Sequence, residues 1–215
     1  VSFAMTSSFS CMMYATLAAL SGPDALGFRA GAIARATARV IDEASAQTRA
    51  LALESFDRVA WLGSGLFKGL AREAALKLGE LTNGGVATCF ESPMGFRHGP
   101  KTFVTARTLV CVFVSNDPLT RRYDLDLLDE LRGDGAAGRV IEITAGMPHG
   151  DASDAFTVSG LAQAGDVDLL WPYIAVAQLF AFHASRAMGV HPDSPNAQGT
   201  VNRVVQGVRL HPMAG

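Results

Sequence analysis

Seven consecutive residues at positions 108–114, TLVCVFV, carry no charge and are mostly β-branched or aromatic. This run constrains the fold more than any other segment. A strand apolar on both faces must be covered on both, as in a parallel sheet flanked by helices, because a sheet with one wet face alternates instead. Related runs occur at 58–62 (RVAWL), 86–90 and 139–144 (RVIEIT), with a short last one at 156–158. Between them, 66–81, 121–132 and 169–188 carry helical spacing, and Pro172 is read as tolerated in the first turn of the last helix. Strand–helix–strand alternation over short connections predicts an α/β chain: a three-layer α/β/α, doubly wound parallel sheet with right-handed crossovers. Ahead of it, 6–20 and 29–54 read as N-terminal helical arms joined by a Gly/Pro turn at 21–27. After it come a proline-punctuated segment at 191–196 and a tail from Gly199.

Composition narrows what such a domain does. With 18 basic against 20 acidic side chains and 8% aromatics, the chain lacks the basic face of a general nucleic-acid binder. Its most apolar segment, 168–190, is interrupted by Pro172, Gln178, His183 and Arg186, so it reads as a buried helix rather than a membrane span. No signal-peptide pattern is evident. Cys11, Cys89 and Cys111 have neither disulfide nor zinc spacing, and they read as reduced core residues of a cytoplasmic protein. Only Lys68, Lys77 and Lys101 among the basic residues are lysines, so a lysine here is less a generic surface residue than usual.

Sheets of this kind bind ligands beyond the carboxyl ends of their strands, which directs attention to residues just after Leu62, Phe90 and Val114. The first candidate is the helix at 66–81. At about 100° per residue, Glu73, Lys77 and Glu80 fall within roughly 60° of one another, at the margin of the apolar face. Lys68 and Arg72 point to the opposite, solvent side. Partial desolvation at such a margin gives acid–base groups useful pKa values. The same spacing also describes an ordinary i,i+4 ion pair.

The second candidate is 91–101, ESPMGFRHGPK, read as a loop holding Arg97, His98 and Lys101 together. His98 is flanked by polar and turn residues, so it is accessible and able to shuttle protons. A rigid turn with a surface histidine has the same composition. The turn Gly63-Ser64-Gly65 offers backbone N–H groups at a helix start, a usable anion site, although a tight turn requires glycine anyway. The other histidines show no ligand spacing, and no metal is expected.

The stretch WLGSGLFKGLAREAALKLGELTNGGVATCFESPMGFRHGPKTFV resembles the sugar isomerase (SIS) family. It carries, in the family's order, a G-x-G turn (Gly63, Gly65), E-x-A-L-K-L-x-E (Glu73 to Glu80) and H-G-P (His98, Gly99, Pro100). Further segments, AMTSSFSCM, SNDPLTRRYDLDLL, LLWPYIAVAQLFAF and PDSPNAQGTVNRVVQGV, are similar to the galactosamine-6-phosphate deaminase/isomerase branch, also called tagatose-6-phosphate ketose/aldose isomerase. The resemblance covers essentially the whole chain.

It implies two SIS domains. Residues 1–55 would then be the end of a preceding SIS domain and a connecting helix, and 56–215 the second SIS domain with its tail. The Ser/Thr-rich loop that holds the sugar phosphate would belong to the missing N-terminal domain. The implied reaction converts galactosamine 6-phosphate to tagatose 6-phosphate and ammonia by proton transfer between C2 and C1, without cofactor. Glu80 would be the base, Lys77 would steady the enol(ate) oxygen, and Glu73 would position the lysine. His98 would assist ring opening across a homodimer interface. Ser64, Thr6 and Asn202 are carried as substrate-binding residues. The family's synthases place a lysine near the carboxyl terminus, and none follows Lys101 here, which argues against that branch. Isomerisation without deamination and a non-catalytic sugar-phosphate-binding module remain as alternatives.

Overall fold

The computed structural model describes residues 4–201, 204 and 207–212. Strands β1 (Arg58–Gly63), β2 (Ala87–Glu91), β3 (Thr108–Phe113), β4 (Arg139–Thr144) and β5 (Ala155–Thr157) form one sheet. Its order is β2-β1-β3-β4-β5 and every pairing is parallel. The chain runs outward from β1 to β2, then returns to β3 on the other side of β1. The switch point therefore lies between β1 and β3.

Two cores explain the unbroken apolar runs. Val59, Trp61, Leu109, Cys111, Phe113, Ile141 and Ile143 enter the larger one. Their neighbours Ala60, Leu62, Val110, Val112, Val114 and Val140 enter the other. Successive side chains point to opposite faces, so a strand buried on both is apolar on both, with Glu142 of β4 the buried charged exception beside Arg132.

The larger core is covered by α2 (Pro23–Leu53), α3 (Leu66–Leu81) and α6 (Asp166–Ala187), and the smaller by α4 (Pro93–Phe96) and α5 (Pro118–Asp134). Aromatic contacts seat α3 and α6 on the sheet. Phe67 lies 5.1 Å from Tyr173, and Phe113 stacks on both Trp61 and Tyr173 at 5.8 and 5.9 Å. Each such pair contributes about 0.5–1.5 kcal/mol beyond area burial. The Tyr173 hydroxyl donates to the Val114 carbonyl at 2.9 Å, which satisfies its polar end inside the core. Helix α6 is the one described helix long and apolar enough to cross a membrane, and most of it is buried against the sheet, as the interrupted hydropathy predicts.

The differences from expectation lie at element ends. The turn between α1 (Thr6–Ser21) and α2 shrinks to Gly22, at φ +83°, because Pro23 occupies a first-turn position that needs no N–H. Helix α5 starts at Pro118 rather than 121, since the Asp117 carboxylate accepts from the Thr120 N–H and caps it. Helix α6 begins at Asp166, so Pro172 sits inside the helix and not in its first turn. Segment 91–101 is not a plain loop: Ser92 caps α4, and a 3-10 turn runs Pro100–Phe103. Cys111 is buried and Cys89 half-buried, but Cys11 is exposed on α1 and is no core residue; all three are free. The first two helices share the sheet's packing: Ala36, Val40, Ala44 and Leu51 of α2 belong to the larger core, with Phe9, Met13 and Leu17 of α1 against it.

Candidate active site

The sequence holds α3 close to β1. A Cβ on Gly63 would lie 2.5 Å from Phe67 Cβ, so only glycine lets the helix start this near the strand. Phe67, Leu70, Ala71, Ala74, Leu78 and Leu81 bury the helix face. At its margin Lys77 is drawn in with them, its side chain only 6% exposed.

Lys77 Nζ donates to Glu80 Oε2 at 2.7 Å and lies 3.5 Å from Glu73 Oε1. That Glu73 oxygen is buried and makes no hydrogen bond among the described residues. Burial raises the Glu73 carboxyl above its ordinary range, opposed by the Lys77 charge and reinforced by Glu80. The cluster thus holds one buried cation, one desolvated carboxylate and one more open carboxylate, with a formal charge of −1. A pair of carboxylates sharing an ammonium can hold a proton at one oxygen and present positive charge to a nearby developing oxyanion.

The remaining candidates fall elsewhere. Ser64 precedes α3, thirteen positions before Lys77, which at about 1.5 Å per residue is roughly 20 Å along the helix. Ser64 Oγ donates to Asp124 Oδ1 at 2.6 Å, and Asp124 Oδ2 accepts from the Ser115 N–H at 2.9 Å. Asp166 in turn accepts from the Ser115 hydroxyl at 2.5 Å and from the Asn116 N–H at 2.8 Å. Two carboxylates thereby tie the turns after β1 and β3, at the switch point, to α5 and α6. Burial pushes the Asp124 carboxyl up to about 6, against the bonds from Ser64 and Ser115. Ser64 is bound into this network and not to the Glu-Lys-Glu cluster.

Sequence reasoning missed Asp124. The signal was present: it stands on the face of α5 that also carries the buried Leu127, Leu128 and Leu131, where a carboxylate requires partners.

His98 is exposed, and its imidazole makes no hydrogen bond or ion pair among the described residues. It follows α4, whose Phe96 is buried in the smaller core, on the face of the sheet opposite α3. Within one chain no contact joins it to Lys77. Thr6 starts α1, half-buried, its carbonyl accepting from Ser10 Oγ at 3.4 Å, also apart from the cluster. Asn202 lies outside the described residues. The tail before it does approach α3: Asn196 Nδ2 donates to Asn83 Oδ1 at 3.1 Å, just beyond the Glu80 end of the helix. Lys68 corrects the expectation of a plain solvent face, since it is half-buried and ion-paired to Glu91 at the end of β2.

A parallel α/β/α sheet whose third helix carries this buried cluster, followed by a His-Gly-Pro turn, is the arrangement of a sugar isomerase (SIS) domain, the family of the proteins this chain is similar to. The relatives it matches carry the names of one branch. A protein of Escherichia coli named D-galactosamine-6-phosphate deaminase AgaS is 44% identical over 225 residues, which are 98% of this chain and 55% of the relative. Another of that name, from a Shewanella species, is 42% identical over 212 residues, 99% of this chain and 52% of the relative. The crystal structure of tagatose-6-phosphate ketose/aldose isomerase from Escherichia coli superposes with a TM-score of 0.84 at 38% identity, covering all of this chain and 55% of that one. The chain thus spans about half the length of the relatives it matches. No protein-family model matches it.

Proposed function

We propose that this chain carries the proton-transfer residues of an amino-sugar-phosphate deaminase/isomerase acting on galactosamine 6-phosphate. The observation that carries the reading is the Lys77 ammonium held between Glu80, at 2.7 Å, and the buried oxygen of Glu73, ion-paired to it at 3.5 Å. In the open-chain sugar, the Glu80 carboxylate removes the C2 proton, and Lys77 stabilises the C1 oxygen as negative charge develops on it. The enolamine is reprotonated at C1, leaving an imine at C2. Water hydrolyses that imine to tagatose 6-phosphate and ammonia. Glu73 holds the lysine in place. No redox step occurs, and none of these transfers calls for a cofactor.

His98 lies on the other face of the sheet, which supports its reaching the cluster of a second copy in a homodimer to assist ring opening. The half of the relatives' length that this chain does not span would supply the phosphate-binding domain, ending in residues 1–55. Thr6 and the tail at Asn202 would line that composite site. Free cysteines are compatible with a cytoplasmic enzyme.

The test incubates galactosamine 6-phosphate with this chain joined to that preceding domain, and follows ammonia and ketose together. Stoichiometric release of both is expected, with the 215-residue chain alone weakly active or inactive. Robust turnover by the isolated chain would contradict the two-domain reading. A relative also bears the name tagatose-6-phosphate ketose/aldose isomerase, so ketose–aldose exchange with no ammonia release would favour plain isomerisation. Tight phosphosugar binding with no proton exchange would favour a sensor module.

A further inference from the structure

We infer that Glu130 on α5 is a positioning residue for His98, acting by clamping both sides of the His98-Gly99-Pro100 turn. The inference rests on the role of His98 in the proposed function and extends it to a residue outside the family motifs quoted above. One oxygen of Glu130 lies 2.7 Å from Arg97 Nε, immediately before His98. That contact is close but lacks hydrogen-bond alignment, leaving an ion pair. The other oxygen pairs with Lys101 Nζ, immediately after the turn. Asp134, one helical turn further along α5, holds the same ammonium at 2.5 Å. Asp134 and Glu130 together keep the Lys101 ammonium above its ordinary pKa.

Within the turn, the His98 N–H donates to the Gly95 carbonyl at 3.2 Å and the Gly99 carbonyl accepts from the Thr102 N–H and hydroxyl at 3.0 and 2.8 Å, so local bonds hold the backbone but none reaches the imidazole. Gly99 has φ +152°, a conformation that L side chains rarely adopt, so glycine is what lets the chain turn directly after His98. Phe96, fully buried, anchors the turn from before, and Phe103 packs on the smaller core from after, beneath the Arg58 guanidinium. Between these anchors, the side chains that pair across from another element to the turn's flanks, among the described residues, are Glu130 and Asp134. An exposed histidine with no partner of its own, on a turn gripped at both flanks, has the form of a preorganised group awaiting a ligand.

These ion pairs are partly exposed, with side chains from 25% to 41% accessible, so they add little to global stability. Loss of Glu130 is therefore separable from unfolding.

The experiment compares Glu130→Ala, Glu130→Gln, His98→Ala and the double variant His98→Ala/Glu130→Ala in the two-domain protein above. Asp57→Asn, which breaks an exposed pair to Arg107, serves as control. Glu130→Ala is expected to lower kcat about 10-fold or more with KM nearly unchanged, because a misplaced catalytic group costs rate before affinity. Glu130→Gln, keeping an acceptor for one cation, falls between. In the His98→Ala background, removal of Glu130 adds little, and Asp57→Asn turns over as the unaltered protein does. Equal losses from Glu130→Ala with and without His98, or no loss at all, would overturn the inference. An unaltered protein with no turnover would sink the functional reading instead. Backbone amide exchange at residues 97–99 and 101 then decides alone: faster exchange in Glu130→Ala than in Asp57→Asn supports the clamp, and equal exchange overturns it.

Discussion

Glu73 and Asp124 are both carboxylates raised by burial, on opposite faces of one sheet, and they differ in what their oxygens meet. Both oxygens of Asp124 are hydrogen-bonded, to Ser64 and to the Ser115 backbone. Glu73 has a buried oxygen with no hydrogen bond, beside an ammonium 3.5 Å away. A raised pKa alone therefore does not mark a reacting group. Asp124 uses its carboxylate to lock two turns, whereas Glu73 holds unspent hydrogen-bonding capacity next to a charge. Buried polar groups left unsatisfied are costly, and a site that binds a ligand is where that cost is repaid.

The largest effect that would sharpen this contrast is on turnover. Glu80→Gln removes the proposed base while keeping its shape, and is expected to lower kcat by about 10²–10⁴-fold. Because Glu80 is 28% exposed, thermal unfolding should hardly change. Unchanged turnover would remove Glu80 from the mechanism and with it the functional side of the comparison.

Asp124 should show the reverse pattern, in stability. Its folded pKa of about 6 lies above the ordinary 3.8, so between those values the folded state binds more protons than the unfolded one. Stability contributed by this group is fully present below about pH 4 and is lost as pH rises through 6. At about 1.4 kcal/mol per unit the loss is on the order of 2–3 kcal/mol. Asp124→Asn should remove that slope, which denaturant titrations of both proteins from pH 4 to 7 would measure as a difference. Parallel pH curves would show that the Asp124 network does not hold a desolvated charge.

The smallest effect tests an ordinary pair. Lys68→Ala breaks the contact with Glu91, and should cost less than about 1 kcal/mol, as partly exposed ion pairs do. A larger loss in urea unfolding would mean that the end of β2 depends on it more than its exposure suggests.

Much of the fold was legible because it follows from local pattern. The runs at β1 and β3 have no polar face to present, so a two-sided parallel sheet was the arrangement open to them. The Glu73-Lys77-Glu80 stripe was legible because helical period alone puts the three on one line. The boundaries that moved were decided by capping and by proline chemistry, as at Asp117-Pro118 and Gly22-Pro23. The Asp124 network was not legible as a site, because its members come from the turns after β1 and β3 and from α5 and α6, and share no spacing in sequence.

By itself, then, the sequence determined the layers, the strand runs and which side chains share a helix face, since those depend on period and propensity within one element. Tertiary structure decided which faces meet. It buried Lys77 beside Glu73, bound Ser64 to Asp124, and set His98 on the other face of the sheet from the Glu-Lys-Glu cluster. Desolvation and long-range hydrogen bonds depend on what packs against a residue, and no local spacing encodes that.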